Sequence, residues 1–332
     1  MYDRFKTRKR NSGIFKALVA LAVISGVLFL GFRYQRYLTF WKYNQNMIYK
    51  KIEAARHIAD RHDRREALVG ITDTMDRYKE EHQTDPAAFL MSGEAHYLLG
   101  ESYLAGTFSE LFINDKSGDI NKNAKMEFLK AIKDIKKGSA LDNGALDENF
   151  CLLLSKSCYF AGYNTPSEIF RIIQKSGNPT EFNDIENVRF YSVASIINKK
   201  EDYGLKLLSQ QGMVRDNIQG LLFYATAERV AGKYTGAIVS YKNVLAMTTD
   251  EKIRKLVHVN LGKIYFNKSL FKESLEQFAI ALKIDERDAL SKIWIGKNYS
   301  AMGQKDKARA IWSEVLTSDG ANTEARELLG TM

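Results

Sequence analysis

Apolar positions in the last third of the chain follow a helical rhythm. Leu256, Val257, Leu261, Ile264, Tyr265 and Phe266 make one stripe, Asn267-Lys268-Ser269 interrupts it, and Phe271, Leu275, Phe278, Ala279 and Leu282 make a second. The pair then repeats. Leu261-Gly262 followed by Tyr265 returns as Ile295-Gly296 followed by Tyr299, and Leu329-Gly330 appears once more, 34 residues apart each time (296 − 262 and 330 − 296). Ser274 and Phe278 map at the same interval onto Ala308 and Trp312. No single helix can bury such a stripe, so stacked helix pairs sharing one core are expected, closed by a capping helix. Residues 323–332 begin a further pair and stop after its first helix, which reads as that cap.

The same pattern extends upstream in weaker form. Leu99-Gly100 with Tyr103 carries the signature again, after a proline-initiated start at Pro86, but about a dozen extra residues, 106–122, precede the partner helix marked by Ala124, Phe128 and Ala131. Helix pairs are expected over 150–175, 186–210 and 219–247 from periodicity, the last with Ala237 and Tyr241 in the small and bulky places. Residues 47–81 read as two further helices that form a degenerate repeat. Five or six units account for most of the chain, and the scarcity of alternating Val/Ile/Thr runs leaves little room for a sheet.

A helix-turn-helix unit of 34 residues, with glycine at the close contact and aromatics beside it, resembles the tetratricopeptide repeat (TPR) family. The repeat-packing residues on which the resemblance rests are Leu99, Gly100, Tyr103, Leu261, Gly262, Tyr265, Phe278, Ile295, Gly296, Tyr299, Ala308 and Trp312. The expected fold is an all-α, TPR-like helical-repeat solenoid over residues 86–332, preceded by one N-terminal transmembrane helix.

The anchor is expected from residues 13–32, an apolar run long enough at about 1.5 Å per residue to cross a bilayer core of about 30 Å. Tyr34, Tyr37, Phe40, Trp41 and Tyr43 follow as an aromatic belt, at the start of a juxtamembrane region spanning 33–85. Charge supports this division. The chain carries a net +9, but residues 1–43 hold nine basic residues and one acidic, so +8 sits there and the remainder is nearly neutral. A nucleic-acid partner loses its electrostatic basis. Six Lys/Arg before or just inside the run, against three immediately after it, predict a cytoplasmic tail at 1–12 and a body outside the cytoplasm.

Candidate chemistry changes this picture little. Cys151 and Cys158 lie seven apart on one helix, about 10.5 Å along its axis, too far for a disulfide. No His-Glu-x-x-His, nucleophile elbow or phosphate loop is present. His96 and His258 each precede a Leu-Gly pair by three residues and read as packing residues, not ligands. In the insertion, Asp115, Ser117, Asp119 and Asn123 suggest a calcium loop, but Ile120 and Met126 occupy the places that need glycine and glutamate. The insertion therefore reads as a solvated loop whose Phe108, Leu111 and Phe112 are placed to pack over a neighbour. No enzymatic role, cofactor, metal or small-molecule substrate is expected.

The resemblance implies a groove lined by the first helix of each unit. Its candidate partner-binding residues are Thr226, Arg229, Val259, Lys263, Phe266, Ile293, Lys297 and Ser300. Val259 and Ile293 stand where the family's carboxylate clamp needs a lysine, which favours an apolar groove for a helix or extended segment. The implied partners are other proteins, with the bilayer contacted through 13–32. The implied role is a membrane-anchored scaffold or assembly factor of an envelope complex, for secretion or in the periplasmic part of a flagellar motor; the alternative is a periplasmic holdase.

Overall fold

The computed structural model describes residues 45–115, 120–210 and 217–331. The expected tail at 1–12, the anchor at 13–32 and the aromatic belt lie outside the described residues. Among the described residues, no helix is long and apolar enough to cross a membrane.

Sixteen α-helices and no strand are present among the described residues. They are α1 (Gln45–Arg56), α2 (Arg61–Glu81), α3 (Pro86–Ser102), α4 (Phe108–Ile113), α5 (Lys122–Leu141), α6 (Glu148–Ala161), α7 (Pro166–Ile173) and α8 (Ile185–Ile197). After them come α9 (Glu201–Gln210), α10 (Ile218–Val230), α11 (Tyr234–Met247), α12 (Glu251–Asn267), α13 (Phe271–Ile284), α14 (Ala289–Ala301), α15 (Lys305–Ser318) and α16 (Thr323–Gly330). Packing joins them as α1/α2, α3/α5, α6/α7, α8/α9, α10/α11, α12/α13 and α14/α15, with α16 on the end. Among the described residues there are thus seven pairs where five or six units are expected, because the unit over α1/α2 and the weakly patterned pairs are all formed.

Local sequence sets the phase of each pair. The first helices begin at an Asx cap: Asp85, Asp147, Asp184, Asn217, Asp250, Asp288 and Asn322 each accept a hydrogen bond from a first-turn backbone N–H. Each such cap contributes about 1 kcal/mol. Several second helices follow a turn through the left-handed region. Gly232 and Gly303 occupy it at φ 72° and 77°, and Ser269 does so at 60° despite its side chain.

Within a pair, small residues on one helix receive large ones from the other. A Cβ added at Gly100 would lie 2.9 Å from the Phe128 ring, and one at Gly262 would lie 2.7 Å from Phe278. One at Gly296 would collide with the Trp312 indole. Trp312 also donates Nε1–H to the Ile293 carbonyl at 3.1 Å, which fixes the ring. Ala124, Ala237, Ser274 and Ala308, the small residues of the second helices, are fully buried. Leu99, Leu261 and Ala308 are buried, whereas Tyr103, Tyr265, Ile295 and Tyr299 are half-buried beside them. The core runs without a break from Ile48 to Ile264 and then divides into two small clusters, around Phe278 and around Trp312.

Candidate interaction face

The first helices α8, α10, α12 and α14 build one face, and residues 106–115 of the insertion lie across it. Residues 106–115 are not the solvated loop expected, although Phe108, Leu111 and Phe112 do pack over neighbouring helices as expected. Thr107 caps α4 in a complete capping box with Glu110, and five of the six helical residues are buried. Phe108 meets Phe190 at 5.2 Å and Tyr159, Phe160 and Phe223 at 5.8–6.4 Å between ring centroids, while Phe112 lies 4.9 Å from Phe223. Ser109 Oγ donates to Glu186 Oε1 at 2.6 Å and accepts from Arg189 at 3.0 Å. The helix is held to α8 and α10 by both apolar and polar contacts.

Beyond α4 the chain reaches further along the face. Asp115, in the left-handed conformation at φ 55°, accepts from Arg229 at 2.5 Å and from Lys263 at 2.6 Å. Burial works to raise its carboxyl pKa, but the Arg229 and Lys263 charges outweigh it and hold the group below the usual carboxylate value. The resulting contribution to stability is present above the ordinary carboxylate pKa and is lost as pH falls through the lowered native value.

These contacts redistribute the eight candidate groove residues. Thr226, Val259 and Ile293 do not face a groove. They are 0%, 3% and 2% exposed, and their places are in the helix contacts. Val259 and Ile293 stand three residues before Gly262 and Gly296, so they share a helix face with the glycines that meet the second helix. Thr226 bonds the Tyr241 hydroxyl at 3.0 Å. Arg229 and Lys263 are on the face but are engaged by Asp115, with Lys263 only 8% exposed. Three residues remain accessible together. Phe266 packs edge-on to Trp294 at 5.3 Å, Lys297 sits over the Trp294 ring at 4.4 Å, and Ser300 is half-exposed one turn on. Lys297 pairs with Glu324 of α16 at 2.7 Å; with side-chain exposures of 26% and 46%, that pair is open to solvent and screened by it. Trp294 is a central residue of this patch that the repeat pattern did not single out.

Cys158 and His258 are accounted for by packing. The Cys158 thiol is buried and pushed up to about 11 by desolvation, so it is unreactive at neutral pH. His258 contacts Gln277 at 2.9 Å. His96 is 1% exposed and belongs to a charged network with Asp76, Lys79, Glu127 and Asp134, a neighbourhood assembled from α2, α3 and α5 that no spacing in the chain reveals.

Comparison with known proteins supports the architecture. No protein-family model and no curated protein matches the chain. Among solved structures, a tetratricopeptide repeat protein from Parabacteroides merdae is similar over 85% of this chain and 97% of its own, with 14% identity and a TM-score of 0.52. MamA MSR-1 matches 55% of this chain and 95% of its own at 21% identity, with a TM-score of 0.36. Pseudomonas aeruginosa PilF matches 72% of this chain and 97% of its own at 11% identity, with a TM-score of 0.34. The chain has the fold of a tetratricopeptide repeat solenoid.

Proposed function

We propose that the chain is a membrane-anchored interaction scaffold, held by residues 13–32 with its solenoid outside the cytoplasm, and that it works by binding protein subunits of an envelope complex rather than by catalysis. One observation carries the binding half of this reading. Phe266 and Trp294 form a partly exposed aromatic patch beside Lys297, whose ion-pair partner among the described residues is the half-exposed Glu324. Aromatic residues bordered by a solvent-accessible cation suit a partner helix with apolar and acidic positions. A holdase needs a long open apolar groove, and α4 fills the stretch over α8 and α10 that would provide it.

The anchor and its orientation rest on the length of the apolar run and the charge asymmetry around it. A reporter active only after export, fused after Met332, should be active; activity restricted to a cytoplasm-specific reporter reverses the orientation. The binding site is tested with the full chain solubilised from membranes, carrying a photo-crosslinking residue at Ser300. Capture of one stoichiometric set of subunits supports a scaffold, and a broad smear of unfolded chains supports a holdase. Lys297→Glu should slow association with the captured subunit by up to about tenfold at low salt, with the difference shrinking as salt rises. Its melting behaviour should change little, because the residue is at the surface. Unchanged association kinetics at every salt concentration would remove Lys297 from the interface. Lys263 is unsuitable for such a test, since a glutamate there would face Asp115 in a buried position.

A further inference from the structure

We propose that Asp76, His96 and Asp134 form a binding site for a divalent transition-metal ion of the zinc class. The three residues come from α2, α3 and α5, and each offers one ligand atom within 4.8 Å of the others. His96 is the centre of the argument. It is 1% exposed, and its Nδ1 lies 2.6 Å from Glu127 Oε2. A carboxylate only accepts, so Nδ1 bears a proton, and Nε2, on the other side of the ring, is the nitrogen left to hold a metal. There it faces Asp76 Oδ1 at 3.6 Å and Asp134 Oδ2 at 4.0 Å. Both separations are too long for good hydrogen bonds. They approach the roughly 3.3 Å between two ligand atoms that share one tetrahedral ion at about 2.0 Å.

The surroundings have the features that hold metal ligands in place. Glu127 orients the imidazole through its far nitrogen, and Ser92 Oγ donates to Asp134 Oδ2 at 2.7 Å. All the groups stand on packed helices rather than loops. Asp76 is 52% exposed in its side chain, so the site opens to solvent on that side, where water can complete the coordination.

The ammonium group of Lys79 occupies the space between the carboxylates, 2.9 Å from Asp76 Oδ1 and 2.5 Å from Asp134 Oδ2. It stands in for a cation. Counting Asp76, Glu127 and Asp134 against Lys79 and the Lys130 that pairs with Glu127, the network carries 3 − 2 = 1 negative charge when His96 is neutral. With Lys79 swung out to solvent it carries 3 − 1 = 2, the charge that one divalent ion neutralises. One imidazole and two carboxylates suit zinc, and cobalt(II) reports on the same ligands by its colour.

The test uses the full-length chain in detergent, stripped of metal and titrated with Co²⁺ followed by Zn²⁺. One equivalent of Co²⁺ should produce visible absorption bands that one equivalent of Zn²⁺ abolishes. Lys79→Met should tighten Co²⁺ binding at least tenfold by removing the competing ammonium. Asp76→Asn and His96→Gln should each eliminate the bands, and Asp76 provides the cleaner variant because it is half exposed and contributes little packing. If Lys79 is only the counter-ion of Asp134, Lys79→Met will lower the melting temperature without any gain in metal affinity, which overturns the proposal. Bands that persist in Asp76→Asn, or that are absent from both the native chain and Lys79→Met, overturn it as well.

Discussion

Phe108→Ala is expected to destabilise the region around α4 by about 3–5 kcal/mol, the usual cost of emptying a buried aromatic site. Phe108 is 6% exposed and lies at the meeting point of rings from α6, α8 and α10. No nearby side chain can fill its volume without leaving its own contact, since Phe190 and Phe223 are themselves fully packed. Because the molecule is a stack of units, a single melting temperature is a poor reporter, and the loss is best read locally. Hydrogen exchange in α8 and α10 should accelerate by roughly 10²- to 10³-fold, each tenfold corresponding to about 1.4 kcal/mol. Exchange in α14 and α15 should stay as it was. If α8 and α10 kept their full protection, α4 would be a surface appendage and the interaction face would be open where it is now assigned as filled.

Gly296→Leu should unfold the last units while leaving the remainder of the body in place. The added side chain would have to enter the space of the Trp312 indole, breaking its hydrogen bond to the Ile293 carbonyl and forcing α14 and α15 apart. Overpacking typically costs about 1–3 kcal/mol, and the local cluster of Ile293, Ala308, Trp312, Val315 and Ala325 is small enough for that to be decisive. Limited proteolysis should cut first within 289–331 and stop before α12. Cleavage spread evenly along the body, or no new cleavage at all, would contradict the confinement of damage to one end.

The repeat was readable because it rests on near neighbours in a fixed spacing. Gly262 with Phe278 and Gly296 with Trp312 are each separated by one turn and part of two helices, and their sequence interval repeats their spatial one. That the aromatics of the insertion would pack was readable, but its helix and the helices it packs on were not, for the opposite reason. Phe-Ser-Glu-Leu-Phe-Ile is too short to show a helical period, and the polar partners of Ser109 and of the following Asp115 lie 77 and 148 residues away, at Glu186 and Lys263. One local signal was available: Thr107 and Glu110 have the spacing of a capping box, which marks a helix start where a loop was expected. The groove residues failed at a finer level. A helix turns 100° per residue, so moving from the packing contact to the outer face requires the correct one of several adjacent positions. Val259 and Ile293 fall on the inner side, whereas Lys263 and Lys297, one residue after the glycines, emerge on the outer one. Lys263 then meets a carboxylate that no repeat-based argument could place.

The division of the core into one long cluster and two small ones has a mechanical meaning. From Ile48 to Ile264 every unit shares side-chain contacts with the next, while the pairs α12/α13 and α14/α15 are stitched together by a handful of residues around Phe278 and Trp312. A pull applied at the far end would reach α16, then α15 and α14, before the continuous section, because units of a linear stack contact only their neighbours and the end unit has one. If the chain is tethered at its N-terminus and gripped by a partner near Lys297, the last two pairs act as a compliant coupling. They would lengthen under tension and fold back when it is released, with the rest of the solenoid serving as a rigid arm.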